Sequence, residues 1–148
     1  MVQLKPQAFE AAKAFIFNHG RKLEQSLFKY HFESGPSDAV LTELTPYQND
    51  DGGFGNALEP DLQTPTSSAI GTTVGFQVFR EIDAPSSKSM VQKAISYLLH
   101  TYDPAKAVWP IIPPEVEASP HAPWWNYEKS SEIFGGFLSN PRADILGY

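Results

Sequence analysis

Two carboxylates on either side of a proline are the first residues in this chain whose types and spacing could do chemistry. Glu59 and Asp61 flank Pro60, shortly before a helical pattern begins. Paired carboxylates can act as general acid and base, or as acid and nucleophile, in the cleavage of a glycoside. They can equally stabilise the start of a helix, where negative charge is favoured. The first interpretation predicts Glu59 and Asp61 as catalytic residues.

The segment 109–125 is the second candidate, because it holds five prolines and three tryptophans. Histidine is the usual proton-transfer side chain at neutral pH, so we predict His121 as a third catalytic residue. Tryptophan faces stack on sugar rings or on apolar ligands, which predicts Trp109, Trp124 and Trp125 as ligand-binding residues. The alternative is a loop that packs over helix ends, with His121 only hydrogen-bonded.

A metal site is the third candidate, at Asp50 and Asp51 before a Gly-Gly pair. Together with Glu59 and Asp61 these carboxylates could bind a divalent cation. The spacing departs from an EF-hand loop, because Leu58 stands where the bidentate Glu belongs. The alternative is a turn in which the carboxylates accept hydrogen bonds from backbone N–H groups. We predict no nucleotide or haem cofactor, and no phosphate-binding glycine motif is present.

Composition narrows the class of protein. The chain has 148 residues, a formal net charge of −6 and no cysteine. The lack of cysteine excludes disulfides, Cys-ligated zinc, iron–sulfur clusters and a thiol nucleophile. An acidic chain without a Lys/Arg cluster predicts no nucleic-acid partner. No apolar run is long enough for a signal peptide or a membrane span, so we predict a cytoplasmic protein that binds a small-molecule ligand.

The elements that must position these residues are helices, because apolar residues recur at helical spacing between Pro, Gly and Ser boundaries. The predicted helices cover residues 6–19, 21–33, 37–45, about 66–82 and about 86–103. The first helix carries an apolar stripe at helical spacing, formed by Ala8, Phe9, Ala12, Phe15 and Ile16. Residues 48–65 and 109–125 are predicted as loops. This pattern indicates an all-α fold in a single domain over residues 1–148.

A short helix is also predicted near Tyr148, with Asn140 as its cap and Pro141 in its first turn. It would span only about two turns, and so short a helix is marginal alone. One interpretation is that a C-terminal half is missing or that the helix docks on another subunit of an oligomer. The other is that it packs on the core of its own chain.

The segment 47–55, which contains Gln48 and ends in Gly-Gly-Phe-Gly, resembles the repeat of squalene/hopene cyclases and protein prenyltransferases. A weaker copy around Leu98 and Trp109 follows. The segments 53–61, 120–125 and 140–143 resemble bacterial prenyltransferase-like proteins that look about twice as long. The resemblance implies helical hairpins forming a segment of an α/α toroid. It also implies that the Gln48 amide packs on Phe54 and reaches the helix that starts near Ser67.

The resemblance does not carry the family's chemistry with it. The cyclase acid motif aligns with 48–51 and lacks its first Asp, and the diphosphate-binding motif at 50–54 lacks its third Asp. Three functions stay open. The first, which we favour, is a toroid protein that binds or processes a carbohydrate-like ligand. The second is an isoprenoid cyclase-like or prenyltransferase-like protein, and the third is a non-catalytic interaction module. Whether the chain is an enzyme is left open.

Overall fold

The computed structural model describes residues 4–129 and 141–148, and 58% of these residues are helical. No β-strand occurs in this part of the chain, where only isolated β-bridges join loop residues. The prediction of an all-α fold is therefore confirmed. No helix among the described residues is long and apolar enough to cross a membrane.

The helices are numbered in chain order. They are α1 Pro6–His19, α2 Lys22–Glu33, α3 Ser37–Leu44, α4 Ala69–Glu81, α5 Ser89–Thr101 and α6 Arg142–Ile145. Short 3-10 turns form at Thr45–Tyr47, Pro114–Ala118 and Pro123–Trp125.

Most helix boundaries agree with the sequence prediction, because local breakers set them. The bounds of α1 are those predicted, and α4 begins after Ser68, whose Oγ accepts the N–H of Gly71 at 3.0 Å. Helix α5 begins later than predicted, since Lys88 N donates to Pro85 O and closes a turn first. The predicted cap Asn140 lies outside the described residues.

The chain divides into two compact units, Met1–Thr45 and Pro46–Tyr148. The prediction of a single domain stays a prediction. In the first unit α1 packs on α2 through aromatic rings: Phe9 and Phe17 each contact Phe28, with ring centroids 5.7 and 5.8 Å apart.

The packing face of α1 differs from the predicted stripe. Helix α1 buries none of its residues, and the Phe15 side chain is 66% exposed. Helix α1 contacts α2 through Phe9 and Phe17, which lie on one face of the helix. Phe15 lies outside this face. The apolar periodicity of α1 therefore marks an apolar stripe but does not say which of its residues are covered.

In the second unit the core is built around Phe54. Its side chain is fully buried and packs edge-on against Phe79, with centroids 5.9 Å apart. Its N–H donates to Thr72 Oγ1 at 3.0 Å, and its carbonyl accepts from Ser68 N at 3.1 Å. Gly75 makes this contact possible, because a Cβ there would lie 2.7 Å from the Phe54 ring. The loop before α4 is thereby fastened onto α4 itself.

A second apolar cluster fastens the 109–125 segment. Ile70 N, in the first turn of α4, donates to Ile111 O at 3.3 Å. The buried members of the cluster are Leu62, Ile70, Ile111, Ile112, Val116 and Trp125. The segment is therefore ordered by burial of its own apolar residues, as its composition predicted.

Two neighbouring threonines test the role of Phe54. We expect Thr72→Val to lower the free energy of unfolding by about 1–3 kcal/mol, because it leaves the buried Phe54 N–H without its acceptor. Thr73 is equally buried, but its hydroxyl donates to Ala69 O, a carbonyl within the same helix. We expect Thr73→Val to change stability by less than about 1 kcal/mol. Urea unfolding of the two variants measures this, and equal losses would contradict it.

Candidate functional site

The acidic segment (residues 59–63) and the aromatic segment (residues 109–127) lie side by side. Leu62 and His121 form an antiparallel β-bridge. On either side of it, Gln63 N donates to Pro120 O at 3.0 Å and Ala122 N donates to Asp61 O at 2.9 Å. The structure thus brings residues 61–63 and 120–122 together, and we call the acidic and aromatic segments joined in this way the paired segments.

The two adjacent tryptophans of the aromatic segment have opposite environments. Trp125 is 9% exposed and belongs to the apolar cluster, whereas Trp124 is 58% exposed. They share the 3-10 turn Pro123–Trp125, so the buried ring anchors the turn that displays its neighbour. Of this pair only Trp124 offers a free face for stacking, and we leave Trp125 out of the ligand surface.

Glu117 closes the other end of that turn. Its Oε1 accepts the N–H of Tyr127 at 2.5 Å, and its Oε2 accepts from Asn126 Nδ2 at 3.2 Å. Ala122, two residues before Trp124, is already held by Asp61 O. The exposed ring therefore lies on a short turn fixed at both ends. Sequence reasoning missed Glu117, whose only signal is a carboxylate four residues before His121.

His121 lies between these groups, with a side chain that is 16% exposed. Its Nδ1 is 2.8 Å from Ser119 O. A carbonyl oxygen only accepts, so Nδ1 carries the proton and Nε2 holds the lone pair of the neutral ring. Nε2 is 4.0 Å from Glu117 Oε2, close enough for an ion pair when the ring is protonated.

The predicted acid pair is only partly organised. Glu59 Oε1 lies 3.4 Å from the N–H of Asp61 and so caps a turn within its own segment. The Asp61 side chain is exposed. Neither residue caps α4, because Ser68 does so. The alternative that these carboxylates stabilise the start of a helix therefore does not apply to α4.

Trp109 has a structural environment of its own. Its Nε1 donates to Leu98 O at 2.7 Å, and its ring packs on Tyr102 with centroids 4.8 Å apart. Its carbonyl accepts from Arg142 Nε at 3.3 Å. These contacts fasten the start of the aromatic segment to the end of α5, so we also leave Trp109 out of the ligand surface.

Asp50 and Asp51 border an open depression of about 440 Å³ elsewhere in the second unit. It is lined by Asn49, Asp50, Asp51, Pro65, Thr66 and Ser67. Both aspartates are exposed, and Asp51 Oδ1 accepts from Gly53 N at 2.9 Å and from Ser67 Oγ at 2.8 Å. Asp51 thus serves the turn that was the alternative to a metal site.

No group of three or more His, Asp or Glu side chains that could hold a metal ion is found in residues 4–129 and 141–148. Among the described residues, no third His, Asp or Glu side chain joins Asp50 and Asp51 to form a metal site. A divalent cation at these two residues therefore stays a prediction. Glu59 and Asp61, the other predicted ligands, belong to the paired segments instead.

Asn49, which lines this depression, and its neighbour Gln48 each donate two side-chain hydrogen bonds. Asn49 Nδ2 donates to Ser67 Oγ at 2.8 Å and to Pro65 O at 2.9 Å. Gln48 Nε2 donates to Gly52 O and to Met90 O, each at 2.9 Å. The amide of Gln48 therefore reaches the first turn of α5, whereas the resemblance implied the helix that starts near Ser67.

The ring of Tyr97, a residue of α5, packs against Gly53 in the turn that Asp51 stabilises. A Cβ on Gly53 would lie 2.7 Å from this ring. Burial, with a smaller contribution from the negative charge of Asp51, raises the pKa of Tyr97 to about 12.

No family model, no curated protein and no solved structure matches this chain. The chemistry proposed below is therefore argued from the residues and contacts of the paired segments.

Because the pKa of Tyr97 is raised in the folded protein, we expect the free energy of unfolding to fall in alkaline solution. Its ordinary value is 10.0, so the unfolded state loses the phenolic proton first as the pH rises. Stability from this group is complete below pH 10 and is lost as the pH approaches about 12. We expect Tyr97→Phe to flatten this part of the curve of unfolding free energy against pH. An unchanged slope in the variant would contradict the assignment.

Two neighbouring aspartates test the turn. We expect Asp51→Ala to destabilise the protein by about 1–3 kcal/mol, because it leaves Gly53 N and Ser67 Oγ without their acceptor. We expect Asp50→Ala, an exposed control, to stay within about 0.5 kcal/mol of the original chain. Thermal unfolding in the presence of EDTA measures both values without a bound cation. Equal effects of the two variants would contradict a turn role for Asp51.

Proposed function

We propose that this chain binds a carbohydrate-like ligand on the paired segments, with a sugar ring stacked on Trp124. The observation that carries the proposal is the bridge between Leu62 and His121, which sets the acidic segment beside the displayed tryptophan. An exposed indole on a fixed turn offers a flat apolar face at little cost in ordering. Carboxylates beside it accept hydrogen bonds from ligand hydroxyl groups.

Processing of the ligand belongs to the same proposal. Acid–base chemistry would be carried by Glu59, Asp61 and His121. His121 is part of the β-bridge, Asp61 precedes the bridge residue Leu62, and Glu59 lies two residues before Asp61. The Nε2 lone pair of His121 is the candidate base of this step. Binding does not depend on this second step.

We infer further that the second unit is a helical-hairpin segment of an α/α toroid, similar to the squalene cyclase and prenyltransferase repeat, in a cytoplasmic protein. Support comes from α4 and α5, which pack together as a helical hairpin, and from the buried Phe54 in the turn that resembles the repeat. An isoprenoid substrate is less well supported. It needs a deep apolar cavity, whereas the depression at residues 49–51 and 65–67 is open.

The two adjacent tryptophans provide a matched test of ligand binding. We expect Trp124→Ala to abolish the thermal shift produced by a panel of oligosaccharides while leaving the unfolding temperature of the free protein nearly unchanged. We expect Trp125→Ala to destabilise the free protein by about 3–5 kcal/mol, because it empties part of the apolar cluster.

A shift with isoprenoid diphosphates and magnesium, and none with oligosaccharides, would contradict the proposal and favour the cyclase-like alternative. Failure of every small molecule to move the transition would contradict it in favour of an interaction module. An oligosaccharide shift that survives Trp124→Ala would show that binding occurs elsewhere on the chain.

A further inference from the structure

We propose that the saccharide bound on the paired segments is N-acetylated, and that the backbone N–H and C=O of His121 recognise its acetamido group and a neighbouring hydroxyl. This inference rests on the proposed function, since it concerns the ligand that stacks on Trp124. It names a chemical group that the residue types of the sequence left open.

The first observation is an unpaired backbone donor and acceptor on His121. Two hydrogen bonds flank the Leu62–His121 bridge, one on either side, so the bridged residues are a non-hydrogen-bonded antiparallel pair. The N–H and C=O groups of such a pair point away from the partner segment. Leu62 N accordingly donates to Glu59 O at 3.0 Å. Within residues 4–129 and 141–148, no group bonds to the N–H or the C=O of His121.

These two groups of His121 face solvent. The residue is partly exposed, and backbone groups that are buried are nearly always paired. We call the N–H and C=O of His121 the free edge.

The second observation is that the free edge is one residue long. Backbone groups alternate in direction along extended chain, so the next positions on this edge are residues 119 and 123. Ser119 N donates to Val116 O at 3.0 Å, and Ser119 O is 2.8 Å from His121 Nδ1. Pro123 has no N–H to donate. The free edge therefore cannot extend into a ladder with a strand of another polypeptide, and it suits a small ligand with one acceptor and one donor.

The third observation is the position of the exposed indole. Trp124 follows His121 by three residues and is 58% exposed. The turn that carries it is closed by Trp125 N, which donates to Ala122 O at 2.8 Å. One short stretch of chain, held by hydrogen bonds, thus presents both a stacking face and the free edge.

Ligand chemistry follows from the two groups of the free edge. A carbonyl oxygen is the acceptor that backbone N–H groups meet in helices and sheets, and an acetamido group supplies one. A hydroxyl on the adjacent ring carbon can donate to the His121 carbonyl. A sugar that carries only hydroxyls offers the N–H a weaker acceptor. A protonated amino group offers it none.

The test compares three β-1,4-linked trisaccharides by isothermal titration calorimetry. They are the trimers of N-acetylglucosamine, glucose and glucosamine, which differ only in the substituent at carbon 2 of each ring. We expect the N-acetylglucosamine trimer to bind most tightly. Its preference over the glucose trimer should be about two- to tenfold, the range that one added hydrogen bond contributes.

Amide exchange with solvent, followed by NMR of the ¹⁵N-labelled protein, localises the effect. In the ligand-free protein we expect the His121 amide to exchange faster than its matched control, the Ala122 amide, which Asp61 O holds. Saturation with the N-acetylglucosamine trimer should slow exchange at His121 and leave Ala122 nearly unchanged. The glucose trimer should protect His121 less.

The outcomes separate this inference from the proposed function. If the His121 amide is already protected without ligand, or if the N-acetylglucosamine trimer binds without protecting it, the inference is overturned and saccharide binding stands. Equal or tighter binding of the glucose or glucosamine trimer overturns it in the same way. If none of the three trimers binds, the proposed function fails, and the inference that rests on it fails too.

Discussion

Burial of Phe54 is the constraint on which the order of the second unit depends. The ring lies against Phe79 and over Gly75, while its N–H and carbonyl bond to Thr72 and to Ser68. A loop rich in glycine and polar residues has little apolar surface to hold it. One fully buried aromatic residue, with both backbone groups satisfied on α4, supplies that anchor.

The candidate site inherits its geometry from this anchor. From Phe54 the chain runs through Leu62, which is buried in the second apolar cluster and forms the bridge to His121. Trp125 packs in the same cluster and fixes the turn that carries Trp124, whose side chain stays exposed. Packing thus explains why Trp124 is exposed and Trp125 is buried. The hydrogen bonds that Glu117 accepts from Asn126 and Tyr127 hold the chain directly after their turn.

Local signals made the helices predictable, whereas pairings between distant segments were not. Pro6 suits the first turn of a helix and a serine or threonine hydroxyl suits its cap. The bounds of α1 therefore followed from the sequence, and the cap of α4 was narrowed to Thr66, Ser67 or Ser68. The residues 59–61 and 121–125 were recognised by type, but their contact depends on a bridge across about sixty residues, which no periodicity encodes. Glu117 acquires its role only through that tertiary arrangement.

The central claim is that a saccharide is bound at Trp124 on the paired segments. The most direct measurement is an NMR titration of the ¹⁵N-labelled protein with the panel of oligosaccharides, which follows the three indole N–H signals and the backbone amides. The account predicts that the Trp124 indole signal and the amide signals of the non-proline residues in 59–63 and 120–124 move, while the indole signals of Trp109 and Trp125 hold their positions. Shifts centred on the depression at residues 49–51 and 65–67, with Trp124 unmoved, would contradict it.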